Sequence, residues 1–306
     1  MIGQILKSRR TRLVFRAVAI SSVAILLTCT GLAAEPAAKL LAKDVAYASQ
    51  SPLESPHGQT LDLYGHDGKS QIPKPVVLYV HGGGWRRGDK AMVGEKPQAF
   101  VNRGYLFASV NYRLEESISP REQAQDVAQA VKWLHEHVGE FGGDPGKIFL
   151  MGHSAGAHLV ALVGTDERLL KACGLDIGVV RGVVLLDGAG YDVPKQVAGA
   201  RLPMLKELYK NAFGEDELAQ REASPVEHVA AGKAYPPFLA FHVGRRQDSR
   251  EQSELLAAKL REAGGQARTI HEPDKNHMTI NRELGTAGDG PTGKIFEFLE
   301  GVLGGE

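Results

Sequence analysis

The 306-residue sequence predicts an α/β domain: a mostly parallel central sheet flanked by helices, with a partial cap inserted around 188–235. Two patterns and one interruption predict it. Short apolar runs rich in β-branched and aromatic residues, the mark of strands buried on both faces, alternate with stretches whose apolar residues repeat at helical spacing. Glycine-rich and polar segments follow several of the runs, where a parallel sheet gathers its ligand-binding loops. The interruption, 188–235, is far longer than the usual connection and carries its own helical stretch, LPMLKELYKNAF at 202–213.

The chain opens with an address. Lys7, Arg9, Arg10, Arg12 and Arg16 precede an apolar run at 17–34 that ends in small residues, the pattern of a cleaved signal peptide at 1–34 followed by a domain at 35–306. The expectation is export to a periplasm or the outside. The run is too short and too rich in Ser, Thr and Gly for a stable membrane span. Cleavage removes Cys29 and leaves Cys173 alone, so no intramolecular disulfide forms. Lys plus Arg and Asp plus Glu number 36 each, a balance that argues against nucleic acid and leaves a small molecule as the partner. No Cys/His spacing suits a structural zinc site, and no metal is implied.

Two short strands, an antiparallel edge, are expected within 43–64. Buried strands follow at 75–80, 105–110, 148–151, 182–186, 238–243 and 267–271. Between them, Ser119 and Glu122 form a capping box with Pro120 at the first helical position, and Val127, Ala130, Val131, Leu134 and Val138 make one apolar stripe. A second box is expected at Ser249–Gln252, opening a helix that Gly264 and Gly265 end.

The strand at 148–151 runs into GHSAG (Gly152 to Gly156) and a helix beginning near Ala157. This strand-turn-helix setting makes Ser154 a candidate nucleophile: the sharp turn exposes its hydroxyl, and the flanking glycines let strand and helix pass closely. A serine nucleophile needs an oxyanion hole, a base and an orienting acid. The triplet Gly82-Gly83-Gly84 follows the strand at 75–80, and the amides of Gly82 and Gly83 with that of Ala155 are the expected donors. His277, in the loop after the strand at 267–271, is the candidate base. Asp248, in the loop after 238–243, is the candidate acid, with Asp187 after 182–186 in reserve. Chain order Ser154, Asp248, His277 suits this elbow. His81, Trp85 and His153 are candidates for the pocket.

With HGGGW at 81–85, GHSAGAHL at 152–159 and DKNHMTIN at 274–281, the chain resembles the α/β-hydrolase superfamily. Within it the chain resembles carboxylesterases of the hormone-sensitive-lipase and feruloyl-esterase type, and also kynurenine formamidases. The resemblance implies the α/β-hydrolase fold and a cofactor-free serine hydrolase acting through an acyl-enzyme. The loop GRRQDS departs from the His-Gly start and earlier aspartate of many relatives. Three readings follow: a secreted carboxylic ester hydrolase for short acyl chains, an aryl formamidase, and a non-catalytic binding module. The leader favours the first over the second, and the complete set of catalytic residue types disfavours the third.

Overall fold

In a computed structural model, residues 36–48, 58–66 and 72–305 are described; the signal peptide expected at 1–34 lies outside them. Eight strands form one sheet in the order β1-β2-β4-β3-β5-β6-β7-β8. They are β1 (Lys39–Ala46), β2 (Thr60–Gly65), β3 (Lys74–Val80), β4 (Leu106–Val110), β5 (Gly143–His153), β6 (Val180–Leu186), β7 (Phe238–Val243) and β8 (Ala267–Glu272). Every pairing from β4 to β8 is parallel, and β2 alone runs against its neighbours. The antiparallel edge expected within 43–64 is therefore present, although β1 starts earlier, at Lys39.

Ten α-helices and three short 3-10 helices complete the described fold, the α-helices being α1 (Lys96–Asn102), α2 (Pro120–His137), α3 (Ala155–Thr165), α4 (Glu167–Lys171), α5 (Val193–Gly199), α6 (Pro203–Phe213), α7 (Glu217–Glu222), α8 (Gln247–Glu262), α9 (Thr279–Arg282) and α10 (Gly290–Gly304). Alternation along the strands sends apolar side chains to both faces. On one face Val76, Leu78 and Val80 of β3 join Leu150 and Leu185 beneath Val127 and Val131 of α2, Leu159 of α3 and Leu256 of α8. On the other, Val77 and Tyr79 join Phe149 and Phe241 beneath Phe100 of α1 and Ile295 and Leu299 of α10.

Sequence signals for the helices held in part. Ser119 and Glu122 form the capping box of α2, and Gly264, at φ 90°, closes α8 with its neighbour Gly265 donating to Leu260 O. The second box is a correction. Helix α8 begins at Gln247 with Arg246 at its N-cap and no side-chain cap, so Ser249 lies inside the first turn, fully buried against the sheet. Strand β5 is also much longer than 148–151, because β3 and β6 pair with it on both sides as far as Gly143 and His153. Helix α3 starts at Ala155, two residues earlier than expected.

The excursion at 188–235 forms α5, α6 and α7. Its helix α6 packs over the glycine triplet: a methyl placed on Gly84 would meet Leu208 Cδ1 at 2.7 Å, and Trp85 packs edge-on to Phe213, ring centroids 4.7 Å apart. The cap thus covers the carboxyl end of the sheet where the site forms.

Candidate active site

Ser154 occupies the single residue between β5 and α3 and holds φ 55° and ψ −118°, a conformation rare for a residue with a side chain. The flanking glycines explain how so tight a turn fits. A Cβ on Gly152 would lie 2.3 Å from Gly156 O, and one on Gly156 would lie 2.2 Å from Val80 O, so strand, turn and helix touch backbone to backbone. The serine hydroxyl stands at the start of α3, where unpaired amides favour negative charge.

The glycine triplet reaches this turn. A Cβ on Gly82 would sit 2.9 Å from Ser154 Cβ and 2.8 Å from His153 O. Gly83, at φ 138°, leaves no room at all, with Arg87 O 1.8 Å from the same construction. The loop is braced beneath by His81, whose ring stacks on Tyr112 at 4.5 Å, while the Tyr112 hydroxyl donates to His81 O at 3.0 Å.

His277 comes from the loop between β8 and α9. Its Nε2 lies 3.0 Å from Ser154 Oγ, and its Nδ1 lies 2.6 Å from Asp187 Oδ2. With Nδ1–H donating to the carboxylate, Nε2 accepts from the serine hydroxyl. Behind the loop, His153 Nε2 donates to His277 O at 2.7 Å. Lys96 donates to Asn281 O at 2.7 Å, and the Tyr79 hydroxyl donates to Asn281 Oδ1 at 2.7 Å.

The acid beside His277 is Asp187, not Asp248. Asp187 follows β6 directly at φ 48° and is completely buried. Burial works to raise its pKa, but the His277 hydrogen bond, the Arg246 charge and the Ser249 hydroxyl together hold it below the ordinary carboxylate value. Asp248 instead accepts from Arg246 Nη2 at 2.9 Å, in the first turn of α8. Its side chain is drawn to the guanidinium and to the helix start rather than to the imidazole.

Sequence reading missed Arg246. Its Nη1 donates to Asp187 Oδ2 at 2.6 Å and to Asp187 O at 3.3 Å, and stands 2.7 Å from His277 Nδ1. The departure GRRQDS was the available signal. The three candidates for the pocket are all buried, at 2% exposure for His81, 4% for Trp85 and 5% for His153, so they frame the site from behind. Trp85 Nε1 donates to His158 Nδ1 at 3.2 Å, whose Nε2 donates to Ala223 O at 2.7 Å. Burial pushes the pKa of His153 down to about 3 and that of His158 to about 4, so both are neutral donors near pH 7. Among the described residues no group of three His, Cys, Asp or Glu could hold a metal ion, and no helix is long and apolar enough to cross a membrane.

The BD-FAE family model matches residues 61–260, nearly two thirds of the chain and both loops that meet at Ser154. The chain belongs to the BD-FAE family. This BD-FAE member is 32% identical over 264 residues to a probable isoprenylcysteine alpha-carbonyl methylesterase of Arabidopsis thaliana, covering 79% of this chain and 52% of that protein. It is 28% identical over 218 residues to esterase LipQ of Mycobacterium tuberculosis, covering 66% of this chain and 50% of that protein. This BD-FAE chain therefore spans about half the length of these relatives. Among solved structures, esterase B of Lactobacillus rhamnosis aligns with TM-score 0.69 at 22% identity, covering 87% of this chain and 85% of that one. Butyrate-bound esterase 2 of Thermogutta terrifontis aligns with TM-score 0.67 at 22% identity, covering 87% and 95%. These likenesses establish the α/β-hydrolase fold for this BD-FAE member.

Proposed function

We propose that the chain is an exported serine hydrolase that cleaves carboxylic esters of short acyl chains. The observation that carries the reading is the continuous line from Ser154 Oγ through His277, at 3.0 Å, to Asp187, at 2.6 Å, on a strained elbow. The curated relatives are named as esterases, which favours an ester over a formamide, and a structural neighbour holds butyrate, which favours a short acyl group.

In this mechanism His277 Nε2 takes the hydroxyl proton as Ser154 Oγ attacks the ester carbonyl. The amides of Gly82, Gly83 and Ala155 receive the oxyanion, a role supported by the contact of Gly82 with Ser154. His277 then gives its proton to the departing alkoxide, leaving an acyl-serine, and water repeats the two transfers to release the acid. Asp187 holds the imidazole in the tautomer that can accept at Nε2 and stabilises the imidazolium between transfers. Export rests on the leader at 1–34, with the catalytic domain at 35–306 as the mature form.

Three measurements test this reading. We expect kcat/KM on a short-chain aryl ester to exceed that on N-formylkynurenine, with Ser154→Ala as the blank; preference for the formamide would replace ester with aryl formamide as the substrate. A fluorophosphonate probe should label Ser154, and a protein that resists it would be a binding module on a hydrolase fold. Mass spectrometry of protein secreted by a host carrying the full chain should find a mature N-terminus near residue 35, whereas an intact leader in the cell interior would remove the export claim.

A further inference from the structure

We propose that Arg246 is a positioning residue of the site: held by Asp248, its guanidinium fixes the Asp187 carboxylate against His277. This rests on the hydrolytic reading above and adds to it a residue pair from outside the triad.

Topology creates the need. The nucleophile, acid and base follow β5, β6 and β8, so β7 stands between the strands that deliver Asp187 and His277. Neighbouring strands lie roughly 4.8 Å apart, which puts about 10 Å between the ends of β6 and β8. The loop after β7 fills that space, and Arg246 is the residue it places there. One guanidinium reaches both carboxylates: Nη1 donates to Asp187 Oδ2 and O, and Nη2 donates to Asp248 Oδ2. A planar fork of donors suits two acceptors at fixed angles in a way that the point charge of a lysine does not.

Local chemistry argues that the arginine is there for the site and not for the helix. Arg246 is the N-cap of α8, a position that favours Ser, Thr, Asp or Asn and where the helix dipole repels a cation. A residue that contradicts its local position marks a demand from elsewhere in the molecule. The demand is visible in Asp187, which is wholly buried, holds φ 48°, and has its carboxylate and its backbone carbonyl both tied by the same guanidinium. Asp248, the acid expected from its loop after β7, thereby serves the site at one remove.

A double-mutant cycle on the full chain tests the role. Arg246→Gln is expected to lower kcat by about 10²-fold, the scale of a misplaced catalytic group, while KM changes by less than about threefold. In an Asp187→Asn background the same substitution should cost almost nothing further, because the carboxylate it steadies is gone. Asp248→Asn should lower kcat several-fold alone and leave Arg246→Gln unchanged. If Arg246→Gln does not fold, Arg246→Lys carries the same cycle, with a smaller loss of kcat because the charge is kept and the fork is lost. Three results would overturn the proposal: wild-type kcat in the Arg246 variant, a loss that persists undiminished in the Asp187→Asn background, or a raised KM at unchanged kcat, which would make Arg246 a substrate contact. Fluorophosphonate labelling of the unmodified protein is run beside the cycle. An unlabelled Ser154 sinks the hydrolytic reading itself, whereas labelled protein with an indifferent Arg246 variant sinks only this inference.

Discussion

Ser154 and Asp187 both hold left-handed backbone angles, φ 55° and 48°, and residues in such conformations cost roughly 1–3 kcal/mol each. Neither is a glycine, so the side chain is what the strain is kept for. Two consequences follow for Ser154. Ser154→Ala should abolish ester turnover at nearly unchanged stability, while Ser154→Gly should be equally inactive but more stable than Ser154→Ala by about 1 kcal/mol, read from urea unfolding. For Asp187, replacement by Asn should lower kcat by up to about 10⁴-fold, as loss of the orienting acid does elsewhere, and Asp248→Asn far less; equal losses in the two variants would return Asp248 to the triad. The meeting of Ser154 and His277 was legible because one sits in a motif with a single structural solution and the other follows the last strand. The acid was not. Strands β6 and β7 end side by side, aspartates follow both, and the choice turns on one backbone angle at Asp187 and on where Arg246 points.

At the scale of elements, the elbow is a packing solution before it is a chemical one. Gly156 lets α3 lie directly on β3, with Val80 O in the space a methyl would take. Gly156→Ala should therefore force strand and helix apart by about an ångström or more, with a stability loss of roughly 3 kcal/mol or outright insolubility, since overpacking a close contact costs about 1–3 kcal/mol and occasionally more. A variant with unchanged melting temperature would contradict the close backbone contact. The same elements show which local signals are trustworthy. The capping box at Ser119 was readable because an exposed loop precedes it and Pro120 fixes the first turn. The similar pattern at Ser249 misled because its hydroxyl is buried within the first turn beside Asp187, and periodicity alone does not reveal what a helix N-terminus faces. Strand ends were underestimated at β5 because its outer residues, Gly-Asp-Pro-Gly, read as a turn and become strand only by pairing with β3.

For the molecule as a whole, burial of neutral histidines sets how it answers acid. The pKa values of His153 and His158, about 3 and about 4, lie below the ordinary value of 6.5. Between those limits the unfolded chain binds protons that the folded one refuses, so stability falls as pH drops through 6.5, by at most about 1.4 kcal/mol per pH unit for each histidine. Melting temperature should decline from pH 7 to pH 5, and His158→Gln should flatten that decline; a flat profile for the unmodified protein would mean that these side chains are hydrated. The alternation of strands and helices was legible, although not every boundary, because buried parallel strands and amphipathic helices write their periods directly into sequence. How the cap meets the sheet was not legible, and it carries a consequence for divergence. Helix α6 leans on Gly84 and Trp85 through Leu208 and Phe213, the same loop that supplies the proposed oxyanion donors. The cap and the glycine loop are thus packed as one unit. If that loop holds the oxyanion as proposed, a substitution in α6 that moves Leu208 or Phe213 is felt at Gly84 and Trp85, so the two regions should drift together across a lineage rather than as separable modules.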